Sequence, residues 1–343
     1  MKPNVLLIRA DANRAIGTGH VMRCLALSQA WQDSGGTVSL AAAELPDTLS
    51  QRLAAEGISL NRIPATPGGP QDASGTVAQA RRHGADWVVI DGDHFGSDFL
   101  DTVRAAGFRV LLIDDFADRE TFPADLIVNP NLDENEEPYR KRRSAAPLRM
   151  GPSHVLLRRE FRHVTEKREI PETGNRILVT LGGSDPDNLT LKIAAALAQR
   201  SHLEVTVVAG VSYDKMEELG KLKASNLRVV FNPANIVQLM KDSDQAIIAA
   251  GGTLWELLCI GCAVLSYSRN TVQVSVVHVL SDRGVVVDMG ETNHFDPAKL
   301  LASVEILLGL RAARERMSSL GRALVDGMGA ARVVETMQSL GTL

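Results

Sequence analysis

The sequence predicts an α/β protein made of two parallel-sheet domains. Three observations carry that expectation. Short apolar runs alternate with amphipathic segments, a polar stretch near the middle interrupts them, and a second alternation then starts afresh. A chain of 343 residues is also long for one simple core, so two domains are the natural expectation.

VLLIRA (5–10) is an apolar run ending in polar residues, the pattern of a buried parallel strand. A helix follows from about His20 to Asp33, where Val21, Cys24, Leu25, Leu27, Ser28 and Trp31 form an apolar stripe and Gly35-Gly36 ends it. TVSLAA, WVVID, RVLLIDD and LIVN (126–129) read as further strands, separated by helical segments near 46–57, 72–83 and 97–107. The charged run DENEEPYRKRRSAAP (133–147) mixes both signs and reads as a solvated loop or exposed helix. FRHVTEKREIPETGN (161–175), polar and holding Pro171 and Gly174, reads as the linker between domains 1–160 and 176–343. The second series comprises ILVTL (177–181), VTVVAG (205–210), LRVVF (227–231), QAIIAA (245–250), AVLSY (263–267) and VVVD (285–288). The last forty-odd residues read as helix alone and are expected in the second domain. Such βα alternation makes parallel sheets covered on both faces, and ligands bind at the carboxyl ends of the strands. Two Rossmann-like domains facing a cleft, followed by a helical run, are the arrangement of the GT-B fold.

Composition excludes several classes of partner. Apolar residues are 45% and charged residues 23%, ordinary for a globular protein, while a net charge of −4 offers nothing to nucleic acid or an anionic membrane. Aromatic residues, at 4%, are too few for a base-stacking surface. No apolar run reaches membrane-span length, so the expected location is the cytoplasm and the expected state a monomer or weak oligomer. Cys259 and Cys262 form a CxxC pair at the end of a predicted helix, with no second pair to complete a zinc site; both read as buried thiols.

Three glycine-rich loops follow predicted strands: RADANRAIGTGH, LGGSDPDN (181–188) and AAGGT (249–253). Glycine lets backbone approach a ligand, and free N–H groups at a helix start attract phosphate oxygens. None is a nucleoside-triphosphate P-loop, and Met22 stands where a GxGxxG motif needs its third glycine. His20 is the candidate base, with a helix N-terminus expected to disfavour its imidazolium form and keep the ring neutral near pH 7. Arg23, one turn on, would hold an anion or pair with Asp11. Asp91 and Asp93 match a DxD pattern, and Asp114-Asp115 ends another strand. His94 and Phe95 would line the cleft wall, and Glu256 is placed to accept hydrogen bonds from ribose hydroxyls.

The stretch IRADANRAIGTGHVMRCLALSQAW resembles the opening of the UDP-2,4-diacetamido-2,4,6-trideoxy-β-L-altropyranose hydrolase family, which begins with a strand, R-x-D, then I-G-x-GH-x-x-R. The likeness continues through VVIDGDHF, LLIDDFADR, IVNPN, LLRREF, ILVTLGGSDPDNLT, NIVQLMKDSDQAIIAAGGTLWELLCIG and VDGMGAARV. It implies a GT-B enzyme, independent of metal and cofactor, that transfers the sugar of a UDP-sugar to water. His20 would then be the catalytic residue, supported by Asp11 and Arg23. Gly17, Thr18, Gly19, Asp91, His94, Phe95 and Asn270 would meet the sugar. Gly182, Gly183, Ser184, Asp185, Gly251, Gly252 and Thr253 would cradle the diphosphate, Asn235 and Ile236 would meet the uracil, and Glu256 the ribose. Where the family has Asp-His-Tyr after the fourth strand, this chain reads DGDHF; where it has Asn-Gln, this chain has Asn270-Thr271 before an apolar helix.

Overall fold

β1 (Val5–Ala10) is buried at nearly every position because it lies inside a parallel sheet covered on both faces. The computed structural model describes residues 4–131, 136–142, 144–162, 168–183, 185–210, 213–233 and 235–341. The chain divides into two units, one of Met1–Arg159 with Gly327–Leu343 and one of Glu160–Asp326.

In the first unit β1 is joined by β2 (Thr37–Ala42), β3 (Ser59–Arg62), β4 (Trp87–Asp91), β5 (Arg109–Ile113), β6 (Leu126–Asn129) and β7 (Leu148–Met150). They form a parallel sheet of order β3-β2-β1-β4-β5-β6-β7. Ala10 pairs with Asp91 and Asp91 with Ile113, so the residues leaving β1, β4 and β5 emerge side by side. The helix Gly19–Asp33 covers one face with Val21, Cys24, Leu25 and Trp31, and helices Pro70–His83 and Ser97–Ala105 cover the other. The second unit has β8 (Arg176–Thr180), β9 (Glu204–Ala209), β10 (Leu227–Phe231), β11 (Gln245–Ala249), β12 (Ala263–Ser268) and β13 (Val287–Glu291). Their order is β10-β9-β8-β11-β12-β13, again parallel. Among the described residues no helix is long and apolar enough to cross a membrane.

Several elements differ from expectation. β3 and β7 escape a reading by periodicity because they are short and carry polar residues. β13 begins at Val287, whereas Val285 and Val286 are buried before it. Within the charged run, helix Glu137–Lys141 turns Tyr139 fully into the core, although residues 133–135 and 143 lie outside the described set. Part of the expected linker, 163–167, also lies outside it. The following residues are tied to the second unit: Arg168 donates to the Met240 and Lys241 carbonyls, and the buried Arg314 to those of Pro171 and Glu172.

The largest correction concerns the last helix, Gly329–Gly341. It does not belong with residues 176–326. Ala330, Val333, Val334 and Met337 complete the core around β1 and helix Gly19–Asp33, and a methyl at Gly329 would overlap the Val155 carbonyl. An amphipathic stripe states that a helix is buried, not against what. Val333→Ala is therefore expected to destabilise the first unit by about 2 kcal/mol. Hydrogen exchange followed by mass spectrometry should show lost protection in β1 and Gly19–Asp33 and none in β8–β12. Unchanged protection of β1 would remove this helix from that core.

Candidate active site

The turn after β1 is built locally. Asn13 accepts from the Ala15 and Ile16 amides at 2.8 and 2.7 Å, and Gly17 takes a left-handed φ of 80°, closing the loop through its amide to the Asn13 carbonyl. Helix Gly19–Asp33 then starts with no side-chain cap. Gly17, Thr18 and Gly19 thus form a partly exposed loop with open space at both glycines.

His20 meets Asp91 across the strand ends. Its Nδ1 lies 2.7 Å from Asp91 Oδ1, and Asp91 is fully buried. Arg23 donates from Nε to Asp91 Oδ2 at 2.7 Å and from Nη2 to Oδ1 at 2.6 Å, and its Nη1 reaches Asp115 at 2.9 Å. Asn131 donates to Asp115 at 3.2 Å, and the Cys24 thiol to Asp91 Oδ2 at 3.4 Å. Burial alone would push the Asp91 carboxyl up; Arg23 and His20 overcome it and hold it well below the usual carboxylate range. In the neutral ring the ionised oxygen at 2.7 Å holds the proton on Nδ1 ahead of the longer Arg23 Nη2 contact at 3.2 Å, which leaves the lone pair on Nε2. Nε2 has no partner among the described residues, and the side chain is 16% exposed.

Three expectations are corrected here. The helix N-terminus does not set the charge of His20: burial opposes protonation, but Asp91 outweighs it and the ring's pKa is raised. Arg23 pairs with Asp91 and Asp115, not with Asp11, and with two carboxylates on it is not free to hold an anion. Asp91, expected against the sugar, has no exposed surface and touches His20 instead.

Asp11 is drawn into a second, separate network. Its Oδ1 accepts from the Ala43 and Glu44 amides, while Oδ2 meets Arg9 Nη2 at 2.8 Å and His94 Nε2 at 3.0 Å. Arg9 is buried and also binds both oxygens of Asp72, at 2.8 and 2.6 Å. Asp11 is therefore not brought to His20; a fully buried carboxylate one residue past β1 is claimed by the arginine of the same strand. Phe95 is likewise not a wall residue. It is 0% exposed, with the Arg9 guanidinium 4.8 Å from its ring centroid. The loop folds inward there because Arg119 donates to the Gly92 and Phe95 carbonyls while pairing with Asp114. Asp114 also accepts from the Tyr139 hydroxyl.

In the second unit Gly182, at a φ of 89°, and Gly183 turn the chain after β8. Ser184 lies outside the described residues. Asp185 is buried and caps helix Leu189–Leu197, accepting from the Leu189 and Thr190 amides at 3.2 and 2.7 Å, so its carboxylate occupies that helix start itself. A methyl at Gly210 would overlap the carbonyls of Gly182 and Gly183, so the end of β9 supports this loop closely. Gly251 and Gly252 open helix Gly252–Ile260 with no side-chain cap and open space at both α-carbons; Thr253 and the half-buried Glu256 follow. Asn235 precedes helix Ile236–Asp242. Asn270 is an N-cap, its Oδ1 accepting from the Gln273 amide at 2.9 Å while Gln273 accepts from the Arg269 amide at 2.8 Å. Sequence reasoning missed Arg269, which ties this corner to the Leu181 carbonyl and Asp185; its place beside Asn270 was the available signal. Cys259 and Cys262 are buried free thiols with pKa values pushed up to about 11 by burial. Among the described residues no group of three or more His, Cys, Asp or Glu could hold a metal ion.

Known proteins share this architecture. No family model matches the chain. It is 29% identical over 202 residues to the spore coat polysaccharide biosynthesis protein SpsG of Bacillus subtilis, covering 55% of this chain and 58% of that protein, under two thirds of its length. It is 25% identical over 293 residues to the UDP-2,4-diacetamido-2,4,6-trideoxy-β-L-altropyranose hydrolase of Campylobacter jejuni, covering 82% of this chain and 98% of that one. Among solved structures it superposes on Acinetobacter baumannii MurG with a TM-score of 0.66 at 17% identity, covering 98% and 100% of the two chains. Arabidopsis thaliana UGT89C1, solved with UDP-L-rhamnose, gives 0.67 at 15% identity and 100% of both. The fold is GT-B, and in sequence the chain is similar to the UDP-diacetamido-altropyranose hydrolase that its opening motif resembles.

Proposed function

We propose that the protein is a nucleotide-sugar hydrolase that cleaves the anomeric C–O bond of a UDP-linked 2,4-diacetamido-2,4,6-trideoxy sugar. The observation that carries this reading is the imidazole of His20, with Nδ1–H committed to a buried carboxylate and Nε2 left with its lone pair. Nε2 takes a proton from water, the water oxygen bonds to the anomeric carbon, and the bond to the diphosphate breaks with its electron pair leaving on UDP. Asp91 stabilises the imidazolium formed. The first unit supplies this chemistry. In the second, the Gly182-Gly183 and Gly251–Thr253 backbones hold the diphosphate, Glu256 the ribose, and Asn235-Ile236 the uracil. The similarity to the Campylobacter jejuni hydrolase over most of both chains supports the substrate class. The free sugar would feed nonulosonic (pseudaminic) acid synthesis. A second reading, transfer of the sugar to an acceptor in place of water, is compatible with the same fold.

UDP release from a panel of UDP-sugars, with water alone and with or without chelator, separates the two. Release from the diacetamido sugar without acceptor or metal is expected. His20→Asn should lower turnover by roughly 10²–10⁴-fold and keep UDP affinity; an undiminished rate would remove His20 from the chemistry. Release only on adding an acceptor would establish the transferase.

The base must be neutral, and although burial opposes protonation, the Asp91 carboxylate raises the ring's pKa above that of an ordinary imidazole. Turnover should therefore rise with pH through a value above that of a free imidazole. Asp91→Asn removes the charge that raises it, so this limb should move to lower pH while the maximal rate falls. A limb that stays in place would contradict the pairing.

Gly210→Ala should weaken UDP binding roughly tenfold or more, because the added methyl displaces the Gly182-Gly183 backbone. Calorimetry with UDP measures it, and an unchanged affinity would exclude this loop from the nucleotide site.

A further inference from the structure

The last residue of β4 and the residue just past β1 are each a carboxylate that backs an imidazole. His20 on Asp91 is one pair. The other is His94 on Asp11, at 3.0 Å, with Asp11 fully buried and the His94 side chain 25% exposed. The two pairs share a design: an arginine, Arg23 or Arg9, binds the aspartate and keeps it charged. Burial would raise the Asp11 carboxyl, but His94 and Arg9 hold it well below the ordinary range.

The connection between Asp11 and His94 runs through Nε2, the opposite nitrogen from that used by His20. An ionised carboxylate in contact with Nε2 requires the proton there. Neutral His94 therefore presents Nδ1 as an acceptor, and Nδ1 has no partner among the described residues. The ring is held on several sides. A methyl at Gly92 would crowd its Cε1 and Nδ1, a methyl at Gly68 would overlap the His94 carbonyl, and Phe95 lies 4.0 Å away centroid to centroid. Gly68 is itself anchored by its amide to Asp72, the other partner of Arg9. A surface histidine does not need so much fixed structure behind it.

We infer that His94 is a specificity-determining residue whose Nδ1 accepts a hydrogen bond from an N–H donor on the sugar, an acetamido group in the reading proposed above. An amide N–H only donates, and the neutral imidazole with its proton held at Nε2 by Asp11 accepts at Nδ1, so donor and acceptor match. This inference rests on the nucleotide-sugar reading but not on hydrolysis.

The test is affinity by calorimetry for the UDP-diacetamido sugar and for UDP, together with KM and kcat, in wild type, His94→Leu and His94→Gln. Leucine removes both ring nitrogens; glutamine keeps an amide donor for Asp11 and an oxygen to accept. His94→Leu should weaken UDP-sugar binding roughly tenfold and raise KM alike, leave UDP affinity unchanged, and be largely rescued by glutamine. A matching loss of UDP affinity, or leucine and glutamine behaving the same, would mean a structural role and overturn the inference. Unchanged KM in an active His94→Leu enzyme would overturn it while leaving hydrolysis standing. If wild type binds the UDP-sugar without consuming it and the leucine variant binds it less well, the inference stands and hydrolysis falls. Binding of the UDP-sugar no tighter than UDP in wild type would overturn it as well.

Discussion

Asp91 has no exposed surface, and a carboxylate there stays charged because Arg23 donates to both of its oxygens and His20 adds a further contact. Desolvating a single carboxylate costs several kcal/mol, so the site depends on that bidentate contact. Arg23 in turn is balanced by Asp115, and Asp115 is steadied by Asn131. The carboxylates in this chain of contacts sit where strand register places them. Ala10, Asp91 and Ile113 lie side by side, so the residues after β1, β4 and β5 share one end of the sheet. The imidazole is the last link. Its tautomer follows from the charge of Asp91, and its basicity follows from the same charge.

The two units handle charge in opposite ways. The first concentrates ionised side chains in buried pairs, and Arg23 beside His20 is committed to two carboxylates. The second presents backbone at glycines, with open space at Gly182, Gly251 and Gly252. Asp185 sharpens the contrast, since its carboxylate fills the start of helix Leu189–Leu197. In the reading proposed above, anion binding in that loop falls to the glycine amides before it.

The apolar sheet strands and the first helix were readable in the sequence because hydrophobic period and glycine position are local signals, whereas the short polar β3 and β7 were not. His20 was readable for the same reason, standing between a glycine-rich turn and an apolar stripe. Partner choice was not. Asp11 and Asp91 are both aspartates at strand ends, and only the side-chain contacts show that one serves His94 and the other His20. Phe95 looked available until the Arg119 contacts folded its loop inward. Tyr139 stood in a run of charges, and its burial depends on Asp114, distant in sequence.

The return of helix Gly329–Gly341 to the first unit makes the second unit an insertion within the first. During synthesis on the ribosome, Glu160–Asp326 is complete as a continuous segment before that helix emerges. The first unit must wait, with the apolar face of β1 and helix Gly19–Asp33 lacking its final cover. The unit that is translated first is thus the last to close, and the strand carrying Arg9 and the helix carrying His20 receive their final cover only after the second unit has been made.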